Sequence, residues 1–219
     1  MNATAAARRE ARYGSLMSHA LRNLGLIWKQ VLVYLAAAMV LGVAMPLIGS
    51  QSTGVVGLAL YFGGQYWLFH TLLKARGLVE TPRIHFLAFV ALALLLIIPI
   101  LFGLTLFLLP GLFLVARWIA APAFIVARGE GAFAAAGASS DAVRGHTVSV
   151  MAAIVVLMLI VIAIGTVLAG VERATDGLTD TKVLDQLFGH LVPLALLGLS
   201  TAVYEQLGPE DTMIEDVFG

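Results

Sequence analysis

The chain is organised as long apolar runs separated by short polar stretches. Apolar residues dominate 26–48, 55–73, 86–126, 148–169 and 187–203. None of these runs shows the ten-residue alternation of an outer-membrane barrel strand, and each is continuous over at least 17 residues. A helix rising 1.5 Å per residue needs about 20 apolar residues to cross a hydrocarbon core of about 30 Å, so these runs predict membrane-spanning helices. The run 86–126 is too long for one crossing and must turn. Pro99 and Gly103 offer one break, but it would leave a first piece too short to span. Pro110-Gly111 divides the run more evenly, and proline suits the first turn of a helix. The expectation is therefore an all-α, polytopic helical bundle of about six transmembrane helices in a single domain, 1–219. A five-span alternative treats Phe86 to Ala116 as one tilted helix.

The polar stretches complete the outline. Residues 1–25 mix Arg8, Arg9, Arg12 and Arg22 with Leu16, Met17, Leu21 and Leu24 at helical spacing, which predicts a helix lying along the membrane surface. The basic start followed by an apolar run resembles a signal peptide, but the run exceeds 20 residues without a convincing small-residue cleavage site and reads as a retained anchor. The link 50–54 carries no charge and is expected as a loop. Segment 127–147 is rich in small residues and predicts a short interfacial helix. Segment 171–186 reads as a polar loop, and 204–219 as an acidic tail.

Composition agrees with the pattern: of 219 residues 60% are hydrophobic and 12% charged, and mean hydropathy is +0.97. Soluble domains are about half apolar and a quarter charged. Thirteen basic and 13 acidic residues cancel, so no overall field recruits nucleic acid. The absence of cysteine excludes disulfides and thiolate chemistry. With both termini inside, Arg8, Arg9, Arg12, Arg22, Lys29, Lys74, Arg76, Arg83, Arg128 and Arg144 face the cytoplasm, against Arg173 and Lys182 outside. This ten-to-two asymmetry orients the chain by the positive-inside rule. The five-span alternative scores ten against three, so charge alone does not choose between them.

The run Leu109-Pro110-Gly111-Leu112-Phe113-Leu114-Val115-Ala116-Arg117, then Pro122, Glu130, Ser139 and Arg144-Gly145-His146, resembles the membrane domain of the bacterial glycerophosphoryl diester phosphodiesterase family. Tyr13-Gly14-Ser15-Leu16 to Asn23, and Thr201 to Leu207, resemble the ends of such domains. The resemblance spans most of the chain, although Ser140 stands where relatives often carry an aromatic residue. It implies about six spans in a bacterial cytoplasmic membrane. It does not imply the esterase, which belongs to a separate soluble domain.

Candidate chemistry is sparse. Arg117 falls near the middle of its predicted span, where a charge costs roughly 2.5–3.5 kcal/mol and must face protein or water. It is expected to bond helix carbonyls, among them that of Trp118, which Pro122 frees, or alternatively a lipid phosphate. Gln65 and His70 share the second span and, with Arg117, form a candidate intramembrane polar site, though such residues more often join helices by hydrogen bonds of about 0.6 kcal/mol. Gly198-Leu199-Ser200-Thr201 superficially resembles an intramembrane serine protease motif, but His190 lies ten residues away on the same helix. A hydroxyl bonded to its own helix is the default. His19, His70, His85, His146 and His190 show no i, i+4 pair, which disfavours a metal site, and Glu172, Asp176 and Asp180 offer little for Ca²⁺. Small residues such as Ala38 and Gly42, or Gly165 and Ala169, permit close helix packing.

No nucleophile, base and orienting group can be assembled, and nothing calls for a cofactor. Two classes of function remain. One is a noncatalytic membrane component whose partners are lipids and other membrane proteins; the other is a small permease or lipid transporter.

Overall fold

Lipid offers backbone N–H and C=O groups no partner, so an apolar chain must satisfy them within its own helices. A computed structural model describes residues 3–48, 50–106, 108–174 and 181–208, and among these no strand occurs. The helices are α1 (Ala3–Leu26), α2 (Trp28–Ile48), α3 (Ser50–Ala75), α4 (Phe86–Leu106), α5 (Leu108–Trp118), α6 (Ala121–Arg128), α7 (Ala132–Ala142), α8 (Thr147–Ala174) and α9 (Thr181–Leu207). The all-α bundle expected from the sequence is thus observed. Among the described residues three segments are long and apolar enough to cross a membrane, Phe86–Gly103, Leu109–Arg128 and Thr147–Gly170. A fourth candidate is the bent pair Gly14–Leu26 and Trp28–Gly42, whose axes differ by 71°.

Several expectations are refined. The link 50–54 is helical, since α3 begins at Ser50. The turn in 86–126 falls where Pro110 places it, with Pro110 in the first turn of α5. α4 and α5 then pack so closely that a Cβ on Gly103 would lie 2.9 Å from Gly111 Cα. Contact of this kind needs glycine on both sides. The part of 86–126 that follows this turn is not one continuous helix. It breaks at Ile119 and Ala120 between α5 and α6, with Pro122 near the start of α6.

α1 is helical as expected, but its apolar stripe meets protein. Leu16, Ala20, Asn23 and Ile27 recur at helical spacing and are buried, and α1 packs mainly on α9 and α8. At Gly198 of α9 a Cβ would approach Ala20 O to 2.9 Å, so α1 lies directly on that helix. The interfacial helix expected within 127–147 is α7, and it too is packed inward, with Ala135 and Ser139 fully buried. The core therefore gathers at one end of the bundle, around Phe124 of α6. This ring meets Tyr204 of α9 edge-on at 4.8 Å between centroids. α9 buries Ser200 and Thr201 and carries Lys182, Asp185, Gln186, Glu205 and Gln206 towards its ends, so it lacks the hydropathy of α4 or α8. The polar loop expected over 171–186 is shorter, since 171–174 belong to α8 and 181–186 to α9, and residues 175–180, with Asp176 and Asp180, lie outside the described residues. The tail beyond 208 and the side chains of Arg8, Arg9, Arg12, Glu172 and Asp185 lie outside them as well.

Candidate functional site

Three polar constellations form where the helices meet. The first repairs the break between α5 and α6. A helix end leaves N–H and C=O groups without partners, and here Ser139 of α7 supplies both. Its Oγ donates to Arg117 O at 2.9 Å and accepts from Ala120 N–H at 3.1 Å. At the far end of α6, Gly129 adopts φ +73° and donates to Ile125 O, while the N–H groups of Glu80 and Thr81 reach Ala127 O at 2.8 and 3.3 Å. Gly145 takes φ +83° in the turn between α7 and α8, a conformation that glycine enters without steric cost. Glu130 follows α6 with its Oε2 enclosed and without a hydrogen bond. Desolvation pushes its carboxyl above the ordinary glutamate range, with Arg128 opposing and Glu80 adding to the rise. Of the motif positions, Ser139 repairs the break, Pro122 lies near the start of α6, Pro110 and Gly111 lie at the start of α5, Gly145 turns the chain between α7 and α8, and Glu130 follows α6.

The second constellation joins α1, α3 and α9. Arg76 Nη2 donates to Asn23 Oδ1, and its Nη1 lies 3.5 Å from Glu205 Oε1. Glu205 Oε2 stands 3.6 Å from His19 Nδ1, and Ser15 Oγ donates to Gln206 Oε1 at 3.1 Å. These contacts tie the N-terminal helix to the end of the last one.

The third lies within the bundle. Gln65 of α3 donates through Nε2 to Tyr34 Oη at 3.0 Å, and Tyr34 Oη lies 2.9 Å from His190 Nδ1 on α9. Tyr34 can reach both because Gly64 leaves room for its ring; a Cβ there would lie 2.5 Å from Tyr34 Cε2. Tyr34 and His190 form part of the wall of a cavity of about 550 Å³ between α2, α3 and α9. The remaining wall is largely apolar, with Ala38, Gly42 and Gly63, and adds the aromatic rings of Tyr61 and Trp67 with their O–H and N–H groups. Val33, Leu60 and Trp67 are exposed on its rim, so it opens sideways. Ala38 and Gly42, expected to draw helices together, instead line this space. A second cavity of about 420 Å³ lies between α3, α4, the α5–α6 break and α9, with Gln65 and Ser200 in its wall beside the rings of Tyr61 and Trp118.

The three residues suggested by sequence do not converge. Only Gln65 joins a network. His70 stacks on Tyr66 at 6.5 Å and Tyr66 Oη accepts from the backbone N–H of His85. Arg117 is half-buried, its guanidinium 5.8 Å from the Phe113 ring centroid. Contrary to the expectation of bonds to helix carbonyls, its side chain makes no hydrogen bond or ion pair among the described residues. The carbonyl of Arg117 itself is taken by Ser139. Thr201 Oγ1 bonds its own helix at Leu197 O, whereas Ser200 Oγ is buried without a partner and His190 is engaged by Tyr34. Among the described residues no three His, Asp or Glu side chains gather as metal ligands. Tyr34 and His190 were missed as a pair because they lie on the second and last long helices, and the only local signal was polar residues within apolar runs.

The fold and these sites define the class: an all-α helical bundle with helices fit to cross a membrane, and a largely apolar cavity between α2, α3 and α9. No protein-family model matches the chain, and neither the curated proteins nor the solved structures yield a match.

Proposed function

We propose that this protein is a noncatalytic, multi-pass membrane component that holds a lipid or similar apolar molecule between α2, α3 and α9. The observation that carries this reading is the open cavity of about 550 Å³, whose wall is apolar apart from Tyr34, Tyr61, Trp67 and His190. Ligand sites commonly measure about 300–1,000 Å³ and pair apolar walls with a few placed polar groups. The test is Gly63→Leu, since Gly63 lines the cavity and a Cβ there meets nothing within 4 Å, so a larger side chain at this position takes up cavity space. The full chain, purified in mild detergent, should carry bound lipid by mass spectrometry, and Gly63→Leu should lose most of it. Equal lipid content in the two would overturn the reading.

A second reading, a small permease or lipid transporter, draws on the broken α5–α6 span and on Pro193 of α9, which flank the cavity holding Gln65 and Ser200. Interrupted helices around a polar site are the usual architecture of transport. Substrate-dependent flux in proteoliposomes, absent in empty vesicles, would favour it over static binding.

We further propose six spans in a bacterial cytoplasmic membrane with both termini inside, supported by the ten-to-two lysine and arginine asymmetry. A C-terminal alkaline phosphatase fusion should be inactive. Kinship with the membrane domains named above remains a proposal resting on the Pro110-Gly111 to Gly145 motif.

A further inference from the structure

We infer that the ligand of the α2–α3–α9 cavity carries a carbonyl oxygen, and that His190 Nε2–H donates to it. This deepens the reading just proposed and rests on it. The inference starts from proton placement. Gln65 Nε2 has only hydrogens to offer, so Tyr34 Oη is the acceptor in that bond. The Tyr34 hydroxyl is buried and still has its own proton to place, and a buried donor needs an acceptor. Among the described residues the acceptor in reach is His190 Nδ1, at 2.9 Å. Nδ1 is therefore unprotonated, and the neutral ring carries its hydrogen on Nε2.

That second nitrogen has no partner among the described residues and is not among the enclosed polar atoms, on a ring that forms part of the cavity wall. The ring is also held in place: Tyr34 meets it edge-on at 5.2 Å and Tyr61 lies at 6.2 Å. The cavity thus presents the fixed N–H donor of His190 on a wall whose other polar side chains, Tyr34, Tyr61 and Trp67, bring only hydroxyl and indole N–H groups. A pure hydrocarbon would leave that donor unpaired, and a cationic head group would be repelled by its positive end. The complementary class is an apolar molecule with a carbonyl oxygen. An ester lipid and a lipid-soluble quinone share this chemistry, and the aromatic rings of Tyr61 and Trp67 accept either an acyl chain or a flat ring.

The probe is a short-tailed benzoquinone added to the full chain in nanodiscs of ether-linked phospholipid, which lack carbonyl groups. Trp67 on the cavity wall reports binding through fluorescence quenching, and Trp67→Phe identifies its share of the signal. Quenching should saturate, and His190→Phe, which keeps the ring contacts but not the donor, should weaken binding about 3- to 10-fold, the value of one hydrogen bond. His190→Gln, which restores an amide donor, should recover part of that loss; its thermal unfolding midpoint and that of His190→Phe show whether each variant is folded. In ester-linked nanodiscs, competition that raises the apparent Kd in wild type but not in His190→Phe identifies the ester lipid as the resident. Unchanged quinone affinity identifies the quinone class instead. Equal affinity of folded His190→Phe and wild type for the quinone would overturn the inference while leaving the cavity reading intact. That reading fails separately if Gly63→Leu keeps its lipid.

Discussion

α6 and α4 are both apolar, yet one is enclosed by protein and the other faces outward. Ala121, Ala123, Phe124, Ile125, Val126 and Ala127 of α6 are all buried, whereas only 17% of the Phe86–Gly103 segment of α4 is. Ile98 and Phe102 stand exposed on α4. The difference shows that hydropathy reports only that a residue avoids water. Whether its neighbour is lipid or protein depends on side-chain size and on what approaches. α6 is alanine-rich and admits α3, α7 and α9 at close range, while the large aliphatic residues of α4 suit a fluid solvent of acyl chains.

The sharpest way to break this comparison is to truncate one phenylalanine in each region. Phe124→Ala opens a cavity at a site 1% exposed and should cost about 3–5 kcal/mol in reversible detergent unfolding. Phe102→Ala, at a position 66% exposed, should change stability by less than about 0.5 kcal/mol. Similar losses at both positions would mean that α4 is covered by another chain.

Next in size is Ser139→Ala, which leaves the carbonyl of Arg117 and the N–H of Ala120 without their buried partner. The expected loss is about 1–3 kcal/mol, and hydrogen exchange should quicken at Ala120. An unaltered stability would show that the break is satisfied by water instead.

Arg117→Leu tests the outward region again. Its guanidinium has the Phe113 ring as its contact, an interaction of about 0.5–1 kcal/mol. Replacing a charge that is costly in lipid offsets that loss, so the unfolding free energy should shift by less than about 1 kcal/mol. A larger drop would indicate a partner for Arg117 that the isolated chain lacks.

The smallest effect belongs to Glu130, beside the enclosed region. Its folded-state carboxyl is held above the ordinary value of 4.5, so the folded protein binds this proton more tightly than the unfolded chain. The charged form therefore costs stability above that value, and the cost vanishes at lower pH where both states are protonated. Glu130→Gln should slightly raise the unfolding midpoint at pH 7, and the gain should fade as pH drops through the carboxylate range. A gain that persists in acid would locate its cause elsewhere than in the charge.

The sequence alone determined the elements. Continuous apolar runs require helices because lipid cannot satisfy a backbone, and length plus Pro110 located the turn within 86–126. It also marked Pro122, Ser139 and Gly145 as unusual without saying why. Only the tertiary structure decided their roles, since the partners of Ser139 lie 19 and 22 residues away. The same holds for the polar site. Arg117 and Gln65 drew attention because polar groups are conspicuous in an apolar run, whereas nothing in the sequence joins Gln65 to Tyr34 and His190. They become a site through Gly64, which lets one ring reach across from α2 to α9. A run of apolar letters fixes the solvent a helix prefers, and the packing of small against large side chains fixes which helices meet.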